Sequence, residues 1–457
     1  MKMRSKVDIT GGPILKSIII FAIPIMLGAL VQVAFNAADL IVVGNMGDEA
    51  AVASVGAVSP IANLLVNSFV GFSAGINAVL ARSLGQRDEK RTARVVSTSV
   101  IFSVALGAIL MIGCFIFSEP LLIVTNCSEE CIEGAKIYMN IYAMGIPAIL
   151  LYNFSGAIIR STGDTVKPFL YLVISGIVNV VLNIILCFVL DNKVVAVAVA
   201  TTASQLVGAV LTFVHLLKLG GICKFDFKNI IFSWHELLAI VKVGGPCAFN
   251  SALFSLSNVQ MHSAINSYGT AATAGNAAAS NLETLVSSFT TGFSTATVPF
   301  VGQNVGAGKP ERVKKSIMCC FALSFVISLI SSLSIYSLGE HALALYLPDS
   351  SDGVEFGLSR MKFVLLFYVI ASTYNIFVNS MQAFGYSFIP MLNSIITVLG
   401  FRVLWLELIY PRLDAVRHTI DNVYMCYTIS WSLSFLAHMT MFIIVYIRYK
   451  KGKVKLI

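Results

Sequence analysis

The sequence contains few charged residues. Of its 457 residues only 12% are charged, whereas 57% are hydrophobic and the mean hydropathy is +0.84. Because soluble chains carry roughly a quarter charged residues, this composition excludes an ordinary soluble protein. Apolar runs of about 20 residues, long enough to cross a bilayer as helices, recur along the whole chain. They show no period-two alternation, which excludes a membrane β-barrel, so we predict an all-α integral membrane protein.

Motifs of enzymes and ATP-driven pumps are also missing. The stretch GQNVGAGKP at 302–310 fails as a phosphate-binding loop, because Gln303 replaces the first glycine and Pro310 replaces Ser or Thr. There is no nucleophile elbow and no carboxylate pair in an aqueous loop. We therefore expect no enzyme and no cofactor, with energy supplied by an ion gradient or by the substrate's own gradient.

The nine cysteines and six histidines are scattered, and none has the spacing of a zinc site. We therefore predict no structural metal. Cys127 and Cys131 lie in one short loop, where they could pair, although free thiols are the favoured interpretation.

The apolar runs predict twelve transmembrane helices, which we number as spans 1 to 12: 14–43, 50–80, 95–117, 134–158, 168–190, 194–217, 237–266, 272–303, 314–337, 357–384, 388–410 and 422–447. Of the 31 Lys and Arg, 24 fall in loops and termini on one side, and Arg402 falls inside span 11. The other side receives six: Lys136, Lys193, Arg360, Lys362, Arg412 and Arg417. The positive-inside rule then places both termini in the cytoplasm. The net charge of +8 thus reflects topology, and we expect no nucleic-acid partner.

The two halves of the chain resemble each other. When the second half is laid over the first so that Pro246 meets Pro24, the same offset makes Asn258 meet Asn36 and Gly385 meet Gly163. A constant offset across most of each half indicates an internal duplication. Each half contains six spans, so both have the same orientation and are related by an axis along the membrane normal, with a binding site between them. We predict lobes at 1–218 and 236–457, joined by a cytoplasmic linker at 219–235.

Polar residues recur on single faces of several spans. Such residues are costly in lipid and either hold helices together or line a hydrated cavity. Taken together, the stripes favour a cavity. For the substrate cleft we select Gln32, Asn36, Asn63, Asn67, Asn258, Glu283, Ser287, Asn375 and Asn379.

Ionisable residues within the spans are Asp39, Glu283, Arg402 and Glu407. A carboxylate such as Asp39 can bind sodium through its oxygens, or desolvation can make it carry a proton. Arg402 or Glu407 is a candidate neutraliser of Glu283, and Glu407 could instead reach the outer surface. Pro24 and Pro246 interrupt spans 1 and 7 at equivalent positions, where a proline kinks a helix. We predict that they act either as hinges or as static kinks.

Five stretches of the chain resemble the multidrug and toxic compound extrusion (MATE) family: FAIPIMLGALVQVAFNAADLIVVG (21–44), ASVGAVSP (53–60), IIRSTGDTVKP (158–168), VGGP (243–246) and, most specifically, VGQNVGAGKPER (301–312). The resemblance covers essentially the whole chain. It implies twelve helices in two lobes, with a cleft that expels cationic or aromatic compounds in exchange for protons or sodium.

The resemblance also implies a set of ion-coupling residues. Family members use an acidic residue on helix 1, Asn and Asp on helix 5, and Thr on helix 6. The matching positions here are Asp39, Asn179, Asn183 and Thr201. Asn183 stands where an Asp is common, which slightly favours proton coupling at Asp39 over a sodium site. A second family site, with Glu on helix 7 and Asp on helix 10, is missing, and Glu283 is a candidate replacement.

We therefore predict a secondary exporter of small amphipathic compounds, cationic or aromatic, driven by proton or sodium antiport. We expect a monomer in a prokaryotic plasma membrane, with small organic substrates and the lipid bilayer as its partners. One alternative is a flippase for a lipid-linked or polyanionic precursor, which would need a more basic cavity. Another is a membrane-embedded lipid-modifying enzyme, for which the sequence offers no suitable acid–base pair.

Overall fold

The computed structural model describes residues 6–45, 49–124, 129–220, 223–348, 350–413 and 419–452; for 36–45, 49–53, 60, 124, 129 and 130 it describes the backbone alone. These residues form helices and no strand. The helices of the first half are α1 (Ile14–Asn45), α2 (Glu49–Gln86), α3 (Glu89–Val124), α4 (Glu129–Ser161), α5 (Val166–Val189) and α6 (Lys193–Lys218). The long helices that open the second half are α7 (Trp234–Asn266), α8 (Thr270–Gly306) and α9 (Pro310–Ser337).

Shorter helices complete the second half: α10 (Gly339–Tyr346), α11 (Ser351–Arg360), α12 (Tyr368–Ala383), α13 (Phe388–Ser394) and α14 (Phe401–Leu404), followed by the long α15 (Ile420–Lys450). A π-helical turn at Met361–Leu365 joins α11 to α12, and a second at Ile395–Gly400 joins α13 to α14. A third π-helical turn, Trp405–Ile409, follows α14. The segments Ser351–Ala383 and Phe388–Arg412 each cross as one unit, so the described chain contains twelve long helical crossings.

Eleven of these crossings are long and apolar enough to span a membrane, and the remaining one is α8. The 37 residues of α8 are rich in Ala, Gly, Ser, Thr and Asn, and twenty-one of them are buried. Small and hydroxylic residues let neighbouring helices approach closely inside a membrane. We conclude that α8 is surrounded by protein, whereas helices such as α3 expose Ile109, Ile112 and Ile116 on the outside of the molecule.

The helices form two six-helix bundles. In the first, α4 packs against α3 and α6, and α5 packs against α6. In the second, α8 packs against α9, α11 and α12, and α12 packs against α15. The two bundles consist of the predicted spans, although several helices are longer than predicted: span 10 begins at Ser351 and not at residue 357.

Glycines bring the two bundles into backbone contact where α2 and α8 end. A Cβ atom added at Gly85 would lie 2.1 Å from the Gln303 carbonyl oxygen, and one added at Gly306 would lie 2.3 Å from that of Arg82. The duplication relates the two contacts, since one offset carries both Gly85 to Gly306 and Arg82 to Gln303. We call this pair of contacts the glycine seam. Because no side chain separates the helices, the seam closes this end of the interface between the bundles.

The N-terminal segment before α1 bonds to both bundles at the same end of the molecule. Its Val7 N–H donates to the Gly163 carbonyl oxygen in the turn between α4 and α5, at 3.0 Å. On the other side, Arg312 Nη2 donates to the carbonyl oxygens of Ile9, at 3.2 Å, and Gly12, at 2.8 Å. The segment therefore ties the first bundle to α9 of the second.

The connection between the bundles packs largely on the first one. Cys223 and Phe225 are buried in the core of the first bundle, and Phe225 contacts the rings of Phe213 and Phe227. A 3₁₀ turn at Phe227–Asn229 follows. Burial raises the pKa of the Cys223 thiol to about 11.

Candidate functional site

The second bundle encloses a polar cavity of about 340 Å³, which we call the C-bundle cavity. Four residues selected from the sequence line it: Asn258 on α7, Glu283 and Ser287 on α8, and Asn375 on α12. The remaining lining includes His262, Arg360 and Arg402. It also includes five aromatic residues, which we call the aromatic wall: Phe254, Tyr368, Tyr374, Tyr427 and Trp431. Its volume falls within the range of small-molecule sites.

Glu283 forms an ion pair with Arg360, whose Nη2 lies 2.6 Å from Glu283 Oε2. Neither Arg402 nor Glu407, the two candidates from the sequence, is therefore the ion-pair partner of Glu283. Arg360 precedes the π-helical turn and is buried, although the sequence placed it among the outer cations. Glu407 lies in a later π-helical turn with its side chain exposed.

Arg360 also orients the side-chain amide of Asn276. Its Nη1 donates to Asn276 Oδ1 at 2.7 Å, which leaves the Asn276 amide nitrogen facing His262 Nδ1 at 3.1 Å. An amide nitrogen only donates, so His262 Nδ1 is the acceptor and the ring is in its neutral Nε2–H form. A continuous chain of polar contacts thus runs from Glu283 through Arg360 and Asn276 to His262.

Among the described residues, Arg402 is buried against neutral groups only. Its Nη1 donates to Ser257 Oγ at 3.1 Å and to Asn258 Oδ1 at 3.2 Å. Its guanidinium carbon lies 4.3 Å from the centre of the Tyr427 ring, which is a cation–π contact. Among the residues that the structure describes, no carboxylate lies within ion-pair distance of Arg402.

A second cavity, of about 190 Å³, lies between the bundles and adjoins the first through Asn375; we call it the central cleft. Its lining includes Val70 and Gly71 of α2, Pro246 of α7 and Asn379 of α12. Asn379 Nδ2 donates to Ser294 Oγ at 2.8 Å, so this amide also holds α12 against α8. The proline predicted as a hinge thus lies at the cleft where the two bundles meet.

In the first bundle, the predicted ion-coupling residues lie on α5 and α6. Asn179 and Asn183 are buried, and Asn183 Nδ2 donates to Asn179 Oδ1 at 3.4 Å. On α6, the Thr201 hydroxyl is buried and has no hydrogen bond to any described residue. Asp39 belongs to α1, but its side chain lies outside the described part of the chain.

The other cleft candidates lie elsewhere. Gln32, Asn63 and Asn67 are exposed and line neither cavity. The side chain of Asn36 is outside the described part of the chain, as is Cys127. Pro24 is buried within α1.

Sequence reasoning missed Arg360 because a cation near a predicted span end was counted as a loop charge. It also missed Tyr427, whose ring contacts both arginines at 5.4 Å and 4.3 Å. One sequence signal could have found part of the aromatic wall: Tyr427 and Trp431 follow the i, i+4 spacing of one helix face.

The MatE family model matches the chain twice, over residues 24–185 and 246–405, and the two matches begin at the paired prolines of the duplication. The chain is 25% identical to the probable multidrug resistance protein YpnP of Bacillus subtilis over 79% of this chain and 80% of that one. It is 22% identical to the multidrug export protein MepA of Staphylococcus aureus over 82% of each.

The fold also matches a solved structure, the outward-facing conformation of a multidrug resistance MATE family transporter of the MOP superfamily. The TM-score is 0.90 at 22% identity, covering 99% of this chain and 100% of the other. This likeness confirms the predicted fold of twelve helices in two related bundles. With the family model matched in both halves, the chain belongs to the MatE family and is a MATE transporter, not an enzyme.

Proposed function

We propose that this protein exports small amphipathic aromatic compounds by antiport with protons or sodium. The observation that carries this proposal is the arrangement of the central cleft, which lies between two bundles whose contact at one end is the glycine seam. Two rigid bundles that separate at such a seam can expose a central site to each side in turn. We further propose that the mobile units are the predicted lobes, 1–218 and 236–457, joined by 219–235.

For the orientation, we propose a prokaryotic plasma membrane with both termini in the cytoplasm. Since Arg360 is buried inside the second bundle, it no longer counts as an outer loop charge, which strengthens the bias toward one side. The end closed by the glycine seam and the N-terminal segment is then the cytoplasmic end. The central cleft would accordingly open outward in this structure.

For the coupling ion, we retain Asp39 with Asn179, Asn183 and Thr201. The Asn179–Asn183 hydrogen bond and the buried hydroxyl of Thr201 supply oxygen atoms inside the first bundle. Oxygen ligands suit sodium, whereas a single carboxylate suits a proton. The replacement of an Asp by Asn183 slightly favours the proton.

For the substrate, YpnP and MepA carry names that refer to multidrug resistance and multidrug export, and we propose similar breadth here. The aromatic wall of the C-bundle cavity supports aromatic compounds. The predicted preference for cations depended on Asp39 and Glu283. Because Glu283 is paired with Arg360, that preference now depends on Asp39 alone.

Efflux from proteoliposomes tests the coupling. Purified protein is reconstituted into dye-loaded vesicles, and a pH gradient or a sodium gradient is imposed separately across the membrane. The measurement is repeated for a panel of aromatic dyes. One gradient should drive efflux, and Asp39→Asn should abolish that efflux while dye binding persists. Glu407→Gln, which removes an exposed carboxylate, is the matched control and should transport normally. Efflux by Asp39→Asn at the normal rate would refute the role of Asp39, and efflux driven by neither gradient would refute antiport.

A second candidate is the flippase for a lipid-linked anion. It requires a basic cavity, and the structure adds Arg360 to Arg402 in the lining of the C-bundle cavity. The first proposal is favoured because the aromatic wall suits a ring better than an acyl chain. Efflux of water-soluble dyes would support the exporter, whereas translocation of a lipid phosphate alone would support the flippase.

A further inference from the structure

We propose that the C-bundle cavity binds a negatively charged group of an aromatic substrate, with Arg402 as the cation that receives it. This inference rests on the proposed function and specifies its substrates: aromatic anions or zwitterions that carry a carboxylate, sulfonate or phosphate. It reverses the charge preference predicted from the sequence. The argument follows from the charges that line the cavity, their partners and the aromatic side chains around them.

The charged groups that line the cavity do not balance. Arg360 and Arg402 are both cations at any physiological pH, whereas Glu283 is the one carboxylate among the described residues of the lining. His262 is neutral in the hydrogen-bonding arrangement described above. With Glu283 paired to Arg360, the described residues of the lining keep one net positive charge, and it belongs to Arg402.

Arg402 has an unusual environment for a buried arginine. Only 1% of it is exposed, it lies inside a transmembrane segment, and its hydrogen bonds go to the oxygens of Ser257, Asn258 and Ser430. A buried charge without a counter-charge is costly, and ionisable residues within membranes generally serve a functional site. Its Nη2 donates to no described residue, which leaves donor capacity for an incoming oxyanion.

Irregular helix geometry lies next to both arginines. Arg360 directly precedes the π-helical turn Met361–Leu365, and Arg402 lies on α14 between two further π-helical turns. Such turns are rare and occur frequently at functional sites. The backbone thus departs from regular α-helix next to the two cations that line the cavity.

The remaining lining suits a flat aromatic body. Tyr368 and Trp431 pack edge-to-face with ring centres 5.9 Å apart, and Tyr374 stacks on His438. Asn375 connects this cavity to the central cleft, so a bound anion would be reached from the pathway between the bundles. An oxyanion next to such rings is a favourable guest for the two N–H groups of Arg402 Nη2.

Equilibrium binding to the purified full-length protein tests the proposal. The probes are two xanthene dyes of similar size and opposite charge, fluorescein as the dianion and rhodamine 123 as the cation, followed by fluorescence anisotropy in detergent. Wild-type protein should bind fluorescein more tightly than rhodamine 123. The decisive variant is Asn258→Asp, which places a carboxylate at the position of the amide oxygen that lies 3.2 Å from Arg402 Nη1.

Asn258→Asp neutralises Arg402 without removing it, and it preserves side-chain shape, so folding should be retained. It should weaken fluorescein binding about tenfold or more and leave rhodamine 123 binding unchanged or improved. Arg402→Lys keeps the charge and should retain most of the fluorescein affinity. Arg412→Gln, which removes an exposed arginine on the same segment, is the control and should change neither dye.

The proposal is refuted if Asn258→Asp binds fluorescein as tightly as wild type, or if both dyes weaken equally, since equal weakening indicates a structural role for Arg402. It is also refuted if fluorescein fails to bind while undecaprenyl phosphate binds in an Arg402-dependent manner, because the guest is then a lipid. These measurements involve no ion gradient. Failure of the antiport proposal therefore leaves the binding result interpretable, and the reverse also holds.

Discussion

The glycine seam predicts that a single methyl group will shift the conformational equilibrium of the transporter. In Gly85→Ala the new Cβ would lie 2.1 Å from the Gln303 carbonyl oxygen, 2.8 Å from its carbonyl carbon and 3.0 Å from the Ala307 nitrogen. Real Cβ atoms essentially never lie closer than 3.0 Å to such a heavy atom, and all three atoms belong to the backbone. The end of α2 must therefore move away from α8 by roughly 1 Å, which is a backbone shift of the kind that overpacking forces.

The methyl group raises the free energy of the form with the closed seam alone, because separated bundles have room for it. Overpacking typically costs about 1–3 kcal/mol, which corresponds to a shift of about 5- to 150-fold in a two-state equilibrium. Gly85→Ala should thus populate the form that is open at this end of the molecule. Measurement of amide hydrogen exchange in nanodiscs should show faster exchange across 82–88 and 300–308.

Gly113→Ala is the matched control, since a methyl group there meets no atom within 4 Å. It should leave exchange at the seam unchanged, and its only effect should be a slight stabilisation of α3. Gly306→Ala should reproduce the effect of Gly85→Ala from the other bundle. If Gly85→Ala exchanges like wild type at the seam, the seam is not the closed end of an alternating-access cycle.

The described contacts lead to three other predictions, two for substitutions and one for thiol labelling. Glu283→Gln leaves Arg360 buried without its counter-charge, so thermal unfolding should reveal a destabilisation of about 3 kcal/mol. An unchanged melting temperature would contradict a stabilising role for the ion pair. Arg312→Gln removes two hydrogen bonds to the N-terminal segment, so proteolysis of that segment should accelerate, and an unchanged rate would argue against the tie. Cys223 should resist maleimide at pH 8, because its buried thiol has a pKa of about 11 and is protonated at that pH. The partly exposed Cys131 should react. Rapid labelling of Cys223 would contradict its burial in the first bundle.

Much of the fold was predictable because helices in lipid must satisfy their own backbone hydrogen bonds. Because of that constraint, each long apolar run marks one helical crossing. The constant offset between matching prolines, asparagines and glycines marks the duplication. Even α8, which is not apolar enough to stand out as the other crossings do, was predicted as span 8 (272–303). The ends of the crossings were less predictable, because helices continue beyond the apolar runs that identified them.

The charge arrangement of the C-bundle cavity was only half predictable. Glu283, Asn258 and Asn375 were found because polar residues on one helical face point the same way. Arg360 was missed because hydropathy cannot distinguish a cation that remains in the loop from one that turns inward. The π-helical turn after Arg360 depends on tertiary packing and leaves no periodic signal, so the pairing of Glu283 with Arg360 could not be derived from sequence spacing.

The low apolarity of α8 has a consequence for how the protein is made. A segment with Glu283 at mid-length partitions poorly into lipid by itself, since acidic residues near a helix centre oppose insertion. The counter-charge that neutralises it, Arg360, is synthesised 77 residues later. Stable membrane integration of α8 therefore depends on the arrival of α11, and ribosomes that stop before Arg360 should release chains whose eighth helix is still a substrate for quality-control proteases.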